Sequence, residues 1–144
     1  DFTLSDAAVN GGVSGGNPDP LSDATRWIYY QVATGGFSSF AAWFGTGAGV
    51  GARVQEAIWL LEGEITTASA GALALAAFAA TQDWGALYAQ GHRVYAMNLT
   101  YTDSAGVVQR VQDQIAYASV PEPATMLLLG AGLFAMAGFM RRKK

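Results

Sequence analysis

Few side chains in this sequence have the type and spacing that catalysis requires. Glu62 and Glu64 are carboxylates separated by one glycine, and paired carboxylates hydrolyse glycosidic bonds when they flank the sugar at about 5–10 Å. His92 is the single histidine and cysteine is absent. The chain therefore has no second histidine for a zinc site and no thiol nucleophile. We expect a protein that is not an enzyme and that uses no metal and no cofactor.

Aromatic side chains are the stronger indication of a binding function. Between positions 27 and 44 the sequence crowds Trp27, Tyr29, Tyr30, Phe37, Phe40, Trp43 and Phe44. Such rings line ligand sites and stack on the flat faces of sugars. They also fill the core of a small domain that has few long aliphatic side chains. The predicted contacts for a glycan or a protein partner are Trp27, Tyr29, Trp43, Gln55 and Trp59.

Gln55 and Trp59 belong to a short motif, Gln55-Glu56-Ala57-Ile58-Trp59. The pattern Gln-x-Ala-Ile-Trp resembles the glutamine-bearing motif of bacterial surface thioester domains. Those domains join the glutamine to a cysteine and use the strained bond to capture host surfaces. This chain has no cysteine, so the resemblance implies at most a related adhesion fold without the reactive bond. The alternative is that Trp59 packs in the core and Gln55 satisfies neighbouring backbone groups.

The carboxyl-terminal residues form three chemically different parts. Pro121, Glu122 and Pro123 make an extended segment, because proline fixes φ and has no amide hydrogen. The next seventeen residues, 124–140, carry no charge. This length is near the lower limit of about 17–25 residues for a membrane-spanning helix. The chain ends in the cations Arg141, Arg142, Lys143 and Lys144, which favour the cytoplasmic side of a membrane.

This tail resembles the PEP-CTERM sorting signal of exported proteins in Gram-negative bacteria. The resemblance implies that an exosortase, an integral-membrane enzyme, recognises the Pro-Glu-Pro motif and removes the tail during surface sorting. It further implies that the protein is anchored in the inner membrane before processing. Afterwards it would lie at the cell surface or in the extracellular matrix of a bacterium that makes exopolysaccharide. The alternative is a plain tail anchor or a buried hairpin.

Charge and composition divide the chain into two parts. We predict an exported globular domain at residues 1–118 and the sorting signal at residues 119–144. Residues 1–120 contain ten acidic residues against four arginines and no lysine, a net charge of −6. An acidic body without a basic patch argues against nucleic-acid binding. The start at Asp1, without a methionine, is consistent with removal of a signal peptide.

The patterning predicts an α+β fold. We expect a small single domain with a β-hairpin and two or three helices, followed by a C-terminal transmembrane-type helix. Residues 53–62 have apolar side chains at helical spacing, and Gly63 is placed to end that helix. Residues 69–90 form a further helical region that is broken near residues 81–83, with Leu73 on its buried stripe.

Three segments are predicted to be extended. Residues 1–6 alternate apolar and polar side chains, as an edge strand does. Residues 26–32 are β-branched and aromatic and favour a strand. Residues 93–117 form the hairpin, and a register with Tyr101 opposite Val107 makes the apolar faces of its two strands coincide.

The sequence therefore indicates an exported cell-surface or extracellular-matrix protein with a structural or adhesive role, sorted by exosortase. Two alternatives are open. The protein is a polysaccharide-binding module of the biofilm matrix, or it is a self-assembling filament subunit that buries its apolar tail between subunits. The expected partners are exosortase, the membrane, exopolysaccharide and further copies of the chain.

Overall fold

The computed structural model describes residues 1–9 and 18–120, together with Leu129, Ala131 and Leu133. These residues confirm the α+β class, but they contain five α-helices where the sequence predicted two or three. The helices are α1 (Asp23–Gly35), α2 (Ala41–Phe44), α3 (Val50–Leu61), α4 (Ala70–Ala79) and α5 (Trp84–Ala89), with a 3₁₀ turn at Phe37–Phe40. The strands are β1 (Phe2–Ser5), β2 (Ala7–Ala8), β3 (Asp19–Pro20), β4 (His92–Thr102), β5 (Val108–Arg110) and β6 (Gln114–Ser119).

Helix α1 occupies the segment at residues 26–32, for which the sequence predicted a strand. That prediction was wrong because signals at the start of the helix outweigh the β-branched and aromatic composition. The Ser22 hydroxyl caps α1 by accepting a hydrogen bond from the Thr25 backbone N–H, and Asp23 places an acid in the first turn. Burial of Ile28 in the core then stabilises the helical arrangement.

Helices α3, α4 and α5 confirm the predicted helical regions, including the break before residue 84. Gly63 follows α3 with a φ of 75°, the left-handed conformation that ends a helix. The buried stripe of α4 differs from the prediction, since Leu75 and Ala76 are buried while Leu73 is 48% exposed. Its sequence is apolar on every side, so periodicity alone could not identify its buried face.

The core lies between α1, α3, α4 and the 3₁₀ turn. Its buried side chains are Ile28, Phe40, Val50, Val54, Ala57, Ile58, Ala72, Leu75 and Ala79. The alanines allow close approach of the helices, and Phe40 fills space that small side chains leave. Ile115 of the sheet packs against this cluster, so the helices cover one face of the sheet.

Strand β4 forms the centre of the main sheet. Strand β1 pairs antiparallel with it along one side, with Phe2 opposite Leu99 and Ser5 opposite Ala96. Strands β5 and β6 pair antiparallel with it along the other side. The structure thus confirms an edge strand at the start of the chain and a hairpin built on β4.

The register of the hairpin differs from the prediction. Tyr101 lies opposite Gln109 and not opposite Val107. The register of β6 against β4 is shifted by one residue relative to the register of β5 against β4, because the irregular segment 111–113 separates β5 from β6. An offset of one residue exchanges the two faces of a strand.

This offset decides which side chains face the helices. Val94 lies opposite Tyr117, and Ala96 lies opposite Ile115. Directly opposed residues of antiparallel strands share a face, and Val94 and Ala96 are buried. The face that carries Tyr101, predicted to be the shared apolar face of the hairpin, is therefore the one the helices leave uncovered.

Two glutamates attach α3 to the starts of its neighbours. The carboxylate of Glu62 accepts hydrogen bonds from the backbone N–H and the hydroxyl of Ser22, the cap of α1, at 3.2 and 2.8 Å. Glu56 accepts the same two bonds from Ser69, the cap of α4, at 2.9 and 2.6 Å. The bonds from Ser69 lower the pKa of the Glu56 carboxyl below its ordinary value. Helix α3 therefore positions both α1 and α4.

The predicted sorting tail lies almost entirely outside the described residues. This applies to Pro121, Glu122, Pro123, Arg141, Arg142, Lys143 and Lys144. Of the predicted membrane segment, Leu129, Ala131 and Leu133 are described, and they are helical. Among all described residues, none of the helices combines the length and the apolar character needed to cross a bilayer.

Candidate functional site

A cleft of about 720 Å³ opens between α3 and the helix-covered face of the sheet. This volume is within the range of about 300–1,000 Å³ that is typical of ligand sites. Ile58 of α3 lines the cleft together with Ala96 and Ile115 of the sheet. Ile58 and Ala96 are buried, so these three side chains give the cleft an apolar base that belongs to the packed part of the molecule.

The structure brings three of the five predicted contact residues to this cleft. Gln55 and Trp59 lie one helical turn apart on α3 and line the cleft together with Tyr29 of α1. Trp59 is 46% exposed, so it does not pack in the core as one interpretation of its motif had it. Gln55 is also exposed, which leaves its amide available to a ligand.

The other two predicted contacts lie elsewhere. Trp27 packs edge-on against Phe78 with ring centroids 5.6 Å apart, and Trp43 contacts the same ring at 5.2 Å. Both tryptophans are partly buried against the hydrophobic core, and neither lines the cleft. Their contacts give them a packing role.

The turn after α3 brings two carboxylates to the cleft. The Glu64 N–H donates to the Trp59 carbonyl at 2.8 Å, and the Gly63 N–H donates to the Leu60 carbonyl at 3.2 Å. These two bonds form a Schellman turn, which depends on the positive φ of Gly63. The turn folds the chain back on the end of α3, so Glu62 and Glu64 line the cleft together with Trp59.

Strand β3 adds a third carboxylate. Partial burial raises the pKa of Asp19 above its ordinary value, and the negative charges of Glu62 and Glu64 raise it further. The three carboxylates therefore share one electronegative environment. Among the described residues, no group of three or more His, Cys, Asp or Glu side chains is arranged to hold a metal ion.

The irregular segment between β5 and β6 supplies the opposite side of the cleft. Its lining residues are Gln112 and Asp113, and Gln114, the first residue of β6, also contributes to the lining. The Asp113 carboxylate accepts hydrogen bonds from the Leu99 N–H at 3.0 Å and the Val9 N–H at 2.6 Å. A side-chain acceptor thus replaces part of the strand pairing and holds the segment in its irregular conformation.

The sequence prediction missed Asp19 and this polar segment as parts of the site. One signal was present, because Gln112, Asp113 and Gln114 are three consecutive polar residues that interrupt the alternation of the second hairpin strand. Such an interruption is typical of a bulge. Asp19 gave no comparable signal, since only folding brings it beside Glu62 and Glu64.

Residues 119–144 match the family model described as the PEP-CTERM protein-sorting motif, which confirms the resemblance found in the tail. The motif supports exosortase-dependent sorting of the chain to the exterior. It makes exosortase the processing partner and the tail a membrane-anchored signal before processing. The match covers the tail and not the body. Comparison with curated proteins and with solved structures finds no significant match to the chain.

Proposed function

We propose that the protein is an adhesive component of the bacterial surface or extracellular matrix and binds an exopolysaccharide in the cleft beside α3. The sorting motif supports the location. The observation that carries the proposal is the half-exposed ring of Trp59, which lines the cleft with Tyr29 and Gln55.

The lining has the chemistry that a sugar chain requires. A sugar ring has a flat face of C–H groups and a rim of hydroxyl groups. The Trp59 ring suits the flat face, and burial of that face from water is favourable. Gln55 and Gln112 each carry an amide that both donates and accepts hydrogen bonds, so they match hydroxyl groups in either role. The cleft is also open to solvent, so a sugar chain can reach its lining from the surface.

In this proposal the protein holds the polysaccharide without cutting it. The support comes from Glu62, the carboxylate that a hydrolytic pair would need beside Glu64. One oxygen of Glu62 already accepts two hydrogen bonds from Ser22, which ties this carboxylate to the start of α1. An assay for new reducing ends after incubation with a bound polysaccharide checks this part of the proposal. We expect none above the rate of the polysaccharide alone.

Substitution of Trp59 tests the binding function. The Trp59→Ala variant of the full chain should bind its polysaccharide at least about fivefold more weakly, because truncation of a central aromatic contact typically costs more than about 1 kcal/mol. Affinity electrophoresis through gels that contain bacterial exopolysaccharides measures the effect. Tyr101→Ala is the matched control, since Tyr101 is 52% exposed but lies outside the cleft. Retention of the Trp59→Ala variant equal to that of the unmodified chain would contradict the proposal.

Self-association is the second candidate function, and the uncovered face of the sheet favours it. Phe2 pairs with Leu99 and Leu4 pairs with Met97, so these apolar side chains share the face opposite the helices. Phe2 is 61% exposed. A second copy presents the same apolar face, so a symmetric contact between copies needs no other partner. Sedimentation of the Phe2→Ser variant beside the unmodified chain tests this, and a monomer in both samples would exclude it.

A further inference from the structure

The lining of the cleft is negatively charged on both sides. Asp19, Glu62 and Glu64 lie on the side of α3, and Asp113 lies on the side of the sheet. Among the described lining residues there is no lysine, arginine or histidine. Arg26 reaches the backbone carbonyl of Leu21 in the lining, but its guanidinium also pairs with the Asp6 carboxylate at 3.4 Å.

The position of these carboxylates at the end of α3 adds to the negative potential. The carboxyl-terminal end of a helix carries a partial negative charge and favours cations. The last turn of α3 contains no basic residue, and Glu62 and Glu64 follow it directly. The like charges repel one another, and Asp19 shows the effect. Burial raises the pKa of Asp19, and the negative charges of Glu62 and Glu64 raise it further. A ligand with positive charge would relieve this repulsion, and a ligand with negative charge would increase it.

We infer that the cleft selects a polysaccharide whose sugars carry free amino groups, in preference to neutral, acetylated or uronic-acid chains; this inference rests on the proposed function. An ammonium group on a sugar ring has three N–H donors, and the carboxylates of Asp19 and Glu64 are acceptors. Trp59 lines the same cleft, so a bound sugar chain can place one ring on the indole while its ammonium groups interact with the carboxylates. The Arg and Lys residues that recognise uronic-acid carboxylates elsewhere have no counterpart in the described lining.

Binding of three hexasaccharides to the full chain tests the inference. The probes are the hexamers of glucosamine, of N-acetylglucosamine and of a uronic acid, measured by isothermal titration calorimetry at low salt and at about 0.15 M salt. We expect the glucosamine hexamer to bind at least about tenfold more tightly than its acetylated form, because each ammonium–carboxylate pair near a protein surface contributes on this scale. The uronic-acid hexamer should bind most weakly, and added salt should reduce the preference for glucosamine.

Substitution of the carboxylates tests whether the preference for glucosamine over N-acetylglucosamine arises in the cleft. The double variant Asp19→Asn, Glu64→Gln should lose the preference to within about twofold and should still bind the acetylated hexamer through Trp59. Asp83→Asn is the matched control because Asp83 lies outside the cleft and caps α5, a role that asparagine fulfils equally well. It should keep the full preference.

The outcomes separate this inference from the proposed function. Acetylated hexamer bound as tightly as glucosamine hexamer would overturn the inference and leave polysaccharide binding in place. Absence of binding by all three hexamers would overturn both. Tetralysine bound as tightly as the glucosamine hexamer, without weakening in the Trp59→Ala variant, would also overturn the inference, since it would show general cation binding without contact to a sugar ring.

Discussion

At the scale of single residues, burial decides what each tryptophan does in this protein. Trp84 is 4% exposed at the start of α5, whereas Trp59 is 46% exposed beside the carboxylates. A buried tryptophan contributes to stability, and a half-exposed one in a cleft is available to a ligand. Asp19 differs from the exposed acids of the chain for a related reason, since partial burial and like charges act on it together.

The raised pKa of Asp19 predicts a pH-dependent effect of the Asp19→Asn substitution. Between the pKa of the unfolded chain and the higher pKa of the folded protein, the folded state binds more protons, so the stability contributed by Asp19 falls as the pH rises through this window. Asparagine removes this loss. At pH 7 the variant should unfold at a higher temperature, and solvent screening of the carboxylates keeps the increase small. The difference should vanish at a pH below both pKa values.

Thermal unfolding between pH 3 and pH 8, followed by circular dichroism, measures this effect. Glu56→Gln is a control with an expected effect of opposite sign, because hydrogen bonds from Ser69 lower the pKa of Glu56 whereas the pKa of Asp19 is raised. Glu56 therefore contributes stability at neutral pH that is lost as the pH falls through its folded-state pKa, and its substitution should destabilise the protein at pH 7. A destabilised Asp19→Asn variant at pH 7 would show that Asp19 makes a favourable contact that outweighs the repulsion.

At the scale of elements, the irregular segment between β5 and β6 shapes the cleft. It offsets the pairing of β6 by one residue, so Ile115 and Tyr117 face the helices. The same segment places Gln112 and Asp113 in the lining. A regular hairpin would continue the alternation of β5 through these positions, and the face of the sheet towards α3 would carry other side chains.

Asp113→Ala should destabilise the sheet because the carboxylate is an acceptor for the N–H groups of Leu99 and Val9. The Val9 N–H also donates to Asn98 Oδ1 at 2.9 Å, so the Leu99 N–H is the one that loses its acceptor, and a partly buried N–H in that position costs about 1–3 kcal/mol. Urea unfolding measures the loss, and Asp113→Asn, which keeps one acceptor oxygen, should lose less.

Asp103→Ala provides the comparison for Asp113. Asp103 also accepts two backbone N–H bonds, from Ala105 and Val107, but it does so in an exposed turn where water can replace it. Its substitution should cost less than that of Asp113. Equal losses at the two positions would mean that the irregular segment is held by other contacts.

At the scale of the whole molecule, the sorting motif and the described core occupy separate parts of the chain. The described core and the cleft are built from residues before 121. The sorting motif occupies residues 119–144. Val120, the residue directly after β6, lies where the body meets the sorting motif. Its backbone N–H donates a hydrogen bond to the Gly91 carbonyl at 2.8 Å.

Replacement of Arg141, Arg142, Lys143 and Lys144 by glutamine should reduce retention of the protein in the inner membrane before processing. Each cation near an anionic leaflet contributes about 1 kcal/mol and favours the cytoplasmic side. Cell fractionation and the intact mass of the exported protein measure retention and processing. Arg110→Gln, which changes an exposed arginine of the body, is the control. Unchanged retention and unchanged mass in the fourfold variant would contradict the orienting role of the cations.

The sequence alone determined the features that depend on consecutive residues. The sorting motif is a linear signal, so the order of Pro-Glu-Pro, apolar run and cations identifies it without a fold. Helix α3 and its end at Gly63 follow from spacing and from the one residue that adopts a positive φ without strain. The edge strand and the hairpin followed in the same way from alternation over a few residues.

Only the tertiary structure decided which side chains meet. In the sequence, Trp27 and Trp43 are as suitable for ligand binding as Trp59. In the structure they pack against Phe78 and do not line the cleft. Asp19 and Asp113 are far apart in the sequence, and the fold places them on opposite sides of one cleft. Burial and charge–charge repulsion arise between residues far apart in the chain, and for that reason no local pattern reveals them.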